Sequence, residues 1–378
     1  MELIDEDGNL FGAVNVVDAL VVLLVLAVVV AGVAAVGVLG TADDDEDEEE
    51  TEDADSIETY YTTLEIGTES ISTAEAIAAG DEMTAGDERL KITDTYAVPI
   101  SSDTADVTVQ AELEATEHEN GTLSFAETEL ATGQNVSIET DAYDVTGSVD
   151  ALENDTTDFQ TAETEVVFEQ TVNQETAAQV RAGNESQLGN ETLASLEDVS
   201  VYPIANNEYR VVAGATLITL DTDDENDEIR YGPSPVESES TLTFATEEYT
   251  LEPTILETGT AAHPGEATTT TVEIDLEGLT DREAAQFEPG LAETMGGDTW
   301  ATITGVDREP ASIVVETDDG DLHEREHPTE NDLTLTVDLE TRETALGTQF
   351  QGSEFRNGDS VYLDFGITTV EERAWIVD

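Results

Sequence analysis

Long runs of alternating apolar and polar residues dominate the chain beyond residue 60. They are plainest in DVTVQAELEA (Asp106–Ala115), RVVAGATLITL (Arg210–Leu220) and DLTLTVDLE (Asp332–Glu340). A period of two predicts strands with one buried and one solvated face. The apparent hairpin partners are TLSFAETEL, STLTFATEEY and SIVVETD, which lie beside these runs in the chain.

The alternating runs belong to a larger repeat. Thr62–Pro99, Val166–Pro203 and Thr271–Pro310 share one order: an alternating strand, a short Ala-rich helix ending at Gly, Gly-polar turns, then a strand leading to Pro. The separations Gly80 to Pro99, Gly183 to Pro203 and Gly290 to Pro310 agree to one residue. Glycine at such helix ends suits the left-handed C′ position. Repeats one and three close on Gly133–Val149 and Phe355–Asp378, whereas the second lacks a matching glycine turn and reads as truncated. The pattern predicts an N-terminal transmembrane helix followed by a β-rich α+β fold. Three tandem repeats of about 95–110 residues, each with a short helix and antiparallel strands, are large enough for cores of their own. The expected boundaries are a head at 1–15, a membrane helix at 16–39, an acidic linker at 40–56, and repeats at 57–150, 160–259 and 268–378. Asn154–Thr161 and Glu257–Glu266 are the expected cleavable connectors.

The one long apolar run without alternation is Ala19 to Leu39, which carries no charge. As a helix it is about 31 Å long, against a bilayer core of roughly 30 Å. The head before it holds Glu2, Asp5, Glu6 and Asp7 and no cation, unlike a signal peptide, so an uncleaved single-pass anchor is expected. The tract Asp43–Asp55 reads as a self-repelling spacer, and sequons stand at Asn120, Asn135, Asn154, Asn184 and Asn190. Both place the C-terminal bulk outside the cell membrane, with the lipid bilayer as one partner.

Charge sharpens this picture. The chain has 378 residues, with 89 Asp plus Glu against 11 Lys plus Arg, a formal charge of −78. Nucleic acid is excluded as a partner, since phosphate is bound by cationic surface. The absence of Cys excludes thiol catalysis, disulfides and Cys-ligated metals. So many like charges point to a halophilic archaeon, because molar salt cuts the Debye length to roughly 3 Å.

The opening residues carry a family signature: Ile4, Asp5, Gly8, Leu10, Phe11 and Gly12, then Asn15 and Asp18 before the apolar run. This head resembles that of a membrane-anchored family, domain-of-unknown-function family 4330, and the third repeat is similar to its exterior domain. The resemblance implies location and architecture and brings no catalytic residues. Leu10 and Phe11 suit an interfacial anchor or a docking site, and Asp18 lies near the expected helix start, where an anion suits the dipole.

Candidate chemistry is sparse. His323-Glu324-Arg325-Glu326-His327 spells H-E-x-x-H, which holds zinc when both histidines face one way on a helix. Here Asp-Asp-Gly precedes it and Pro328 follows, so a hairpin is expected, with His323 and His327 as weak metal candidates. His118 and His263 lie in turn contexts without a serine elbow. The acidic loops Asp221–Glu228 and Asp318–Asp321 miss the calcium-loop pattern, the first having Asn226 where glycine is needed. No catalytic residue and no cofactor is expected. The function read from these features is a non-enzymatic interaction or scaffold role at the cell surface, accessory to an envelope export or transport complex. The closing segments are superficially similar to the small β-barrel pieces of export-pump adaptors. A membrane or envelope protein is the expected partner, with oligomeric state open. The alternatives are an exterior metal-dependent hydrolase using His323 and His327, or a structural or pilin-like filament subunit.

Overall fold

The computed structural model describes residues 9–10, 14–15, 56–118, 120–153, 159–222, 228–316 and 322–377. The chain divides into two units, Met1–Ala54 and Asp55–Asp378. In the first, the backbone pairs Asn9 with Asn15 and Leu10 with Val14.

Three sequence expectations are corrected here. The architecture is β rather than α+β: strand makes up 68% of it, and the described helices are three short ones. These are α1 (Ile71–Ala76), α2 (Gln174–Gln179) and α3 (Asp281–Ala284), too short to form a layer. Ser70, Asn173 and Thr280 start them by accepting an N3 amide. The first two stop at once because Ile77 and Val180 turn to extended backbone and enter the core. Secondly, no helix among the described residues is long and apolar enough to cross a membrane, and the predicted span Ala19–Leu39 lies outside them. The single-pass membrane assignment and the cell-membrane location drawn from it are therefore not carried further. Thirdly, Gly80, Gly183 and Gly290 are left-handed (φ 99°, 83° and 95°) but sit beyond the helix caps, in turns.

Within Asp55–Asp378 the strands form three near-barrels. In the first, β1 (Ser56–Ser70), β2 (Glu82–Ala85), β3 (Glu88–Pro99), β4 (Thr104–Glu117), β5 (Asn135–Glu139) and β6 (Asp144–Glu153) lie in the order β2-β3-β4-β1-β6-β5. The second has β7 (Gln160–Asn173), β8 (Glu185–Leu188), β9 (Glu191–Ile204), β10 (Glu208–Thr222) and β11 (Thr254–Thr258), ordered β8-β9-β10-β7-β11. The third repeats the first: β12 (Glu266–Thr280), β13 (Ala292–Met295), β14 (Asp298–Glu316), β15 (Leu322–Thr344), β16 (Ser360–Asp364) and β17 (Thr369–Ile376) are ordered β13-β14-β15-β12-β17-β16. All pairings are antiparallel. Period two appears directly in burial: Val107, Val109, Ala111 and Leu113 on β4 face the first core, and Leu333, Leu335, Val337 and Leu339 on β15 face the third.

The hairpin partners differ in part from those expected. Each central strand pairs along most of its length with the strand leading up to the proline, β3 with β4 and β9 with β10. The segment after it pairs only at the tip: Thr116 and Glu117 meet Ser124 and Leu123 of the expected partner, and Leu220–Thr222 meet Glu228–Arg230 instead of the expected one. In the third near-barrel Pro310 stays inside β14, at a register shift, and the hairpin runs on to pair Glu316 with Leu322.

One turn closes each near-barrel twice. Gly80, Gly183 and Gly290 donate their amides to Ile92, Leu196 and Ile303 (2.8, 2.7 and 2.7 Å), which donate back to Asp81, Asn184 and Leu291 (each 2.9 Å). The second closure pairs Gly133 with Val149, Glu239 with Ile255 and Gly358 with Ala374. Glu239 holds the left-handed conformation (φ 72°) where the others have glycine. The second repeat is thus not truncated; its closing turn merely lacks the residue that would mark it.

A bulge follows each first closure, between Ile92 and Asp94, Leu196 and Asp198, and Ile303 and Gly305. The extra residue reverses which parity faces inward. Leu90 and Ile92 pack in the first core, yet Tyr96 and Val98 turn outward and are buried in the second. Leu196 packs in the second core, and Tyr202 turns outward to Trp300 of the third near-barrel, ring centroids 4.4 Å apart. The three near-barrels therefore dock head to tail. Tyr96 donates its hydroxyl to the Ile218 carbonyl (2.9 Å), and Trp300 donates Nε1–H to the Val201 carbonyl (2.8 Å).

Candidate binding clefts at the two junctions

Each junction leaves a cleft. The first, of about 240 Å³, lies on the outer face of the first sheet. Thr63 and Glu65 on β1 and Asp106, Thr108 and Gln110 on β4 line it, because they alternate with the core-facing Leu64, Val107 and Val109. The second near-barrel supplies the opposite wall through Phe159, Leu220, Arg230 and Pro233. Arg230 reaches Glu65 across the junction (Nη1 to Oε1, 3.9 Å) and donates from Nη2 to the Pro233 carbonyl (3.0 Å). Burial raises the Asp106 carboxyl above its usual range, and Glu65 pushes it the same way.

The second cleft, of about 400 Å³, is lined by Tyr202, His263, Trp300 and Arg342, with Asp198, Asp298 and Glu340. His263 is buried, its Nε2 3.0 Å from the Tyr202 hydroxyl. Burial lowers its pKa and Arg342 lowers it further. Arg342 donates to three consecutive carbonyls, His263, Pro264 and Gly265 (3.1, 2.7 and 2.7 Å), pinning the segment that joins the second and third near-barrels. Arg210 crosses the same junction to the Gln351 carbonyl (3.2 Å) and to Ser353. Among ten arginines, Arg210, Arg230 and Arg342 thus stand where strongly negative bodies meet, which lowers the repulsion between them.

The H-E-x-x-H stretch lies on β15, paired with β14, with His323 opposite Val315 and Glu324 opposite Val314. On a strand, positions four apart share a face but lie about 13 Å from each other, too far for one metal ion. His327 Nδ1 instead lies 3.6 Å from Glu330 Oε2. Among the described residues, no group of three or more His, Asp or Glu side chains could hold a metal. His118 Nε2 meets Ser124 Oγ at 2.9 Å, and the His118 amide donates to the Thr122 carbonyl (2.9 Å).

The remaining candidate residues scatter. Asn120, Asn135 and Asn190 are exposed, and Asn154 lies outside the described residues. Asn184 is engaged, its Oδ1 accepting from the Arg181 amide and the Tyr249 hydroxyl (both 2.8 Å). Of the head motif only Leu10 and Asn15 are described; Ile4, Asp5, Gly8, Phe11, Gly12 and Asp18 are not, nor are residues 223–227 and 318–321 of the acidic loops. Sequence reasoning missed Tyr96, Tyr202, Trp300 and Arg230. Their signal was available in part: two Trp and ten Arg in a chain this acidic mark places where burial or charge is needed.

These observations define a β-rich protein of three coupled near-barrels with clefts at their junctions. Residues 1–102 match the family model of a domain of unknown function, DUF4330, covering the head and the first near-barrel as far as the β3–β4 turn. No curated protein and no solved structure matches the chain.

Proposed function

We propose that this chain is a non-enzymatic interaction protein, which holds recognition surfaces at fixed spacing within a larger assembly. The observation behind this reading is the interlocking of the near-barrels. Tyr96 and Val98 are 5% and 1% exposed inside the neighbouring core, so the bodies do not swing as beads on a linker. Rigid spacing benefits a binder because less freedom is lost when several surfaces engage one partner. A filament role is less favoured, since the outward face of the third near-barrel carries the exposed Asp307 and Glu309, a poor seat for another copy.

The test is in-cell crosslinking followed by tagged purification in high salt, with partners identified by mass spectrometry. Wild-type chain should return a defined set of proteins, and a Tyr96→Ala variant, loosened at the first junction, should return fewer of them. Recovery of this chain alone, crosslinked to itself, overturns the reading.

A further inference from the structure

The first junction cleft is built unlike the rest of this acidic surface. Among the described residues, five carboxylates line it, Glu65, Asp106, Asp150, Glu153 and Asp221, against one guanidinium that already faces Glu65 and the Pro233 carbonyl. An anion is disfavoured there. Phe159 and Leu220 give the cleft an apolar wall, with Leu220 only 8% exposed. Gln110 lines it too, 8% exposed, and its Oε1 accepts no hydrogen bond from any described residue. What the cleft lacks is a cationic hydrogen-bond donor attached to something apolar.

We propose that this cleft binds a primary ammonium group on a short apolar stem, with Asp106 and Glu65 taking the charge and Phe159 and Leu220 the stem. An ammonium beside Asp106 compensates the partial burial of its carboxylate, which water alone does not. The cleft holds at least about eight water-sized groups at roughly 30 Å³ each, enough for a six-carbon amine. Such a group comes either as a free alkylamine or as a lysine side chain of a partner. The inference stands independently of the scaffold reading, because a small amine binds or fails to bind the isolated chain.

The experiment is calorimetric titration of the full chain in molar KCl, which screens diffuse attraction to the many other carboxylates. The probes are hexylammonium, neutral hexanol and a capped Gly-Lys-Gly peptide with its lysine free or acetylated. Hexylammonium should saturate at one site and bind about tenfold or more tightly than hexanol. Asp106→Asn should remove most of that preference, and exposed Glu65→Gln should weaken it about threefold without threatening the fold. Glu372→Gln, an exposed carboxylate on a distant strand, should change nothing. Binding of the free but not the acetylated peptide assigns the ammonium to a partner's lysine; binding of hexylammonium alone assigns it to a free amine. Equal binding of hexylammonium and hexanol, or binding untouched by both Asp106→Asn and Glu65→Gln, overturns the proposal.

Discussion

The outward faces created by the three bulges differ although their backbones correspond. Four and six residues after the closing Ile92, the first near-barrel presents Tyr96 and Val98, both buried in its neighbour. At the same offsets from Leu196 the second presents Ser200 and Tyr202, buried against the third. From Ile303 the third presents Asp307 and Glu309, both exposed. The same backbone device therefore makes an interface twice and a solvated end once, and side-chain polarity alone decides which. Head-to-tail contacts of this kind continue indefinitely unless something stops them. Here the third face carries two exposed carboxylates in place of apolar side chains.

Breaking the buried face should have the largest effect. Tyr96→Ala empties an aromatic site in a foreign core and should cost about 3–5 kcal/mol, with the first near-barrel unfolding in a separate transition by calorimetry. A single cooperative transition with an unchanged midpoint would sink the interlock.

The next effect separates the third near-barrel from the others by pH. Glu293 on β13 is 1% exposed, accepts from the Asp364 amide (2.7 Å), and stands where the first two near-barrels have Met83 and Ser186. Burial pushes its pKa from 4.5 up to about 8. The folded state therefore binds more protons than the unfolded one between those values, and stability falls as pH rises through that window, by at most about 1.4 kcal/mol per pH unit. Glu293→Gln should flatten this slope in denaturant titrations at several pH values. An unchanged slope would show that the carboxyl is ionised in place.

Converting the solvated end into a buried-type face gives a subtler result. Asp307→Tyr with Glu309→Val should raise the sedimentation coefficient with concentration, whereas the wild-type chain should not change. The smallest effect concerns the closing turn: Glu239→Gly relieves a left-handed non-glycine residue and should stabilise the second near-barrel by about 1 kcal/mol in thermal melts.

The strands were legible because alternation in segments such as Asp106–Ala115 reports the sheet's two faces directly. The repeat's glycines were legible because a left-handed turn selects them, as at Gly80, Gly183 and Gly290. Glu239 was invisible for the converse reason: the geometry is there and the marker is not. The short helix of each repeat was legible, but its end was over-read, since Ala-rich composition carries a helix on to Gly80 or Gly183 while Ile77 and Val180 have core sites to fill. The main partners of the first two central strands were missed because Pro99 and Pro203 look like strand stops, yet each sits near the end of the strand that pairs. The clefts were not legible at all. They combine residues from two bodies, such as Asp106 with Phe159, and a bulge of one residue decides that these face each other.

The segment between the second and third near-barrels has a further consequence. A Cβ at Gly214 would fall 1.6 Å from the Ala261 carbonyl oxygen, so the segment lies directly on the middle strand of the second sheet. Arg342 and the Gly259 amide, bonded to the Glu165 carbonyl (2.7 Å), clasp it at either side. It is packed against the sheet and hydrogen-bonded at both sides, although its Gly- and Pro-containing sequence resembles a free connector. Covalent continuity is therefore dispensable at this place: cut between Gly259 and Gly265, the chain should persist as two fragments that co-purify, which makes the connection a natural point for splitting the molecule into a reporter pair.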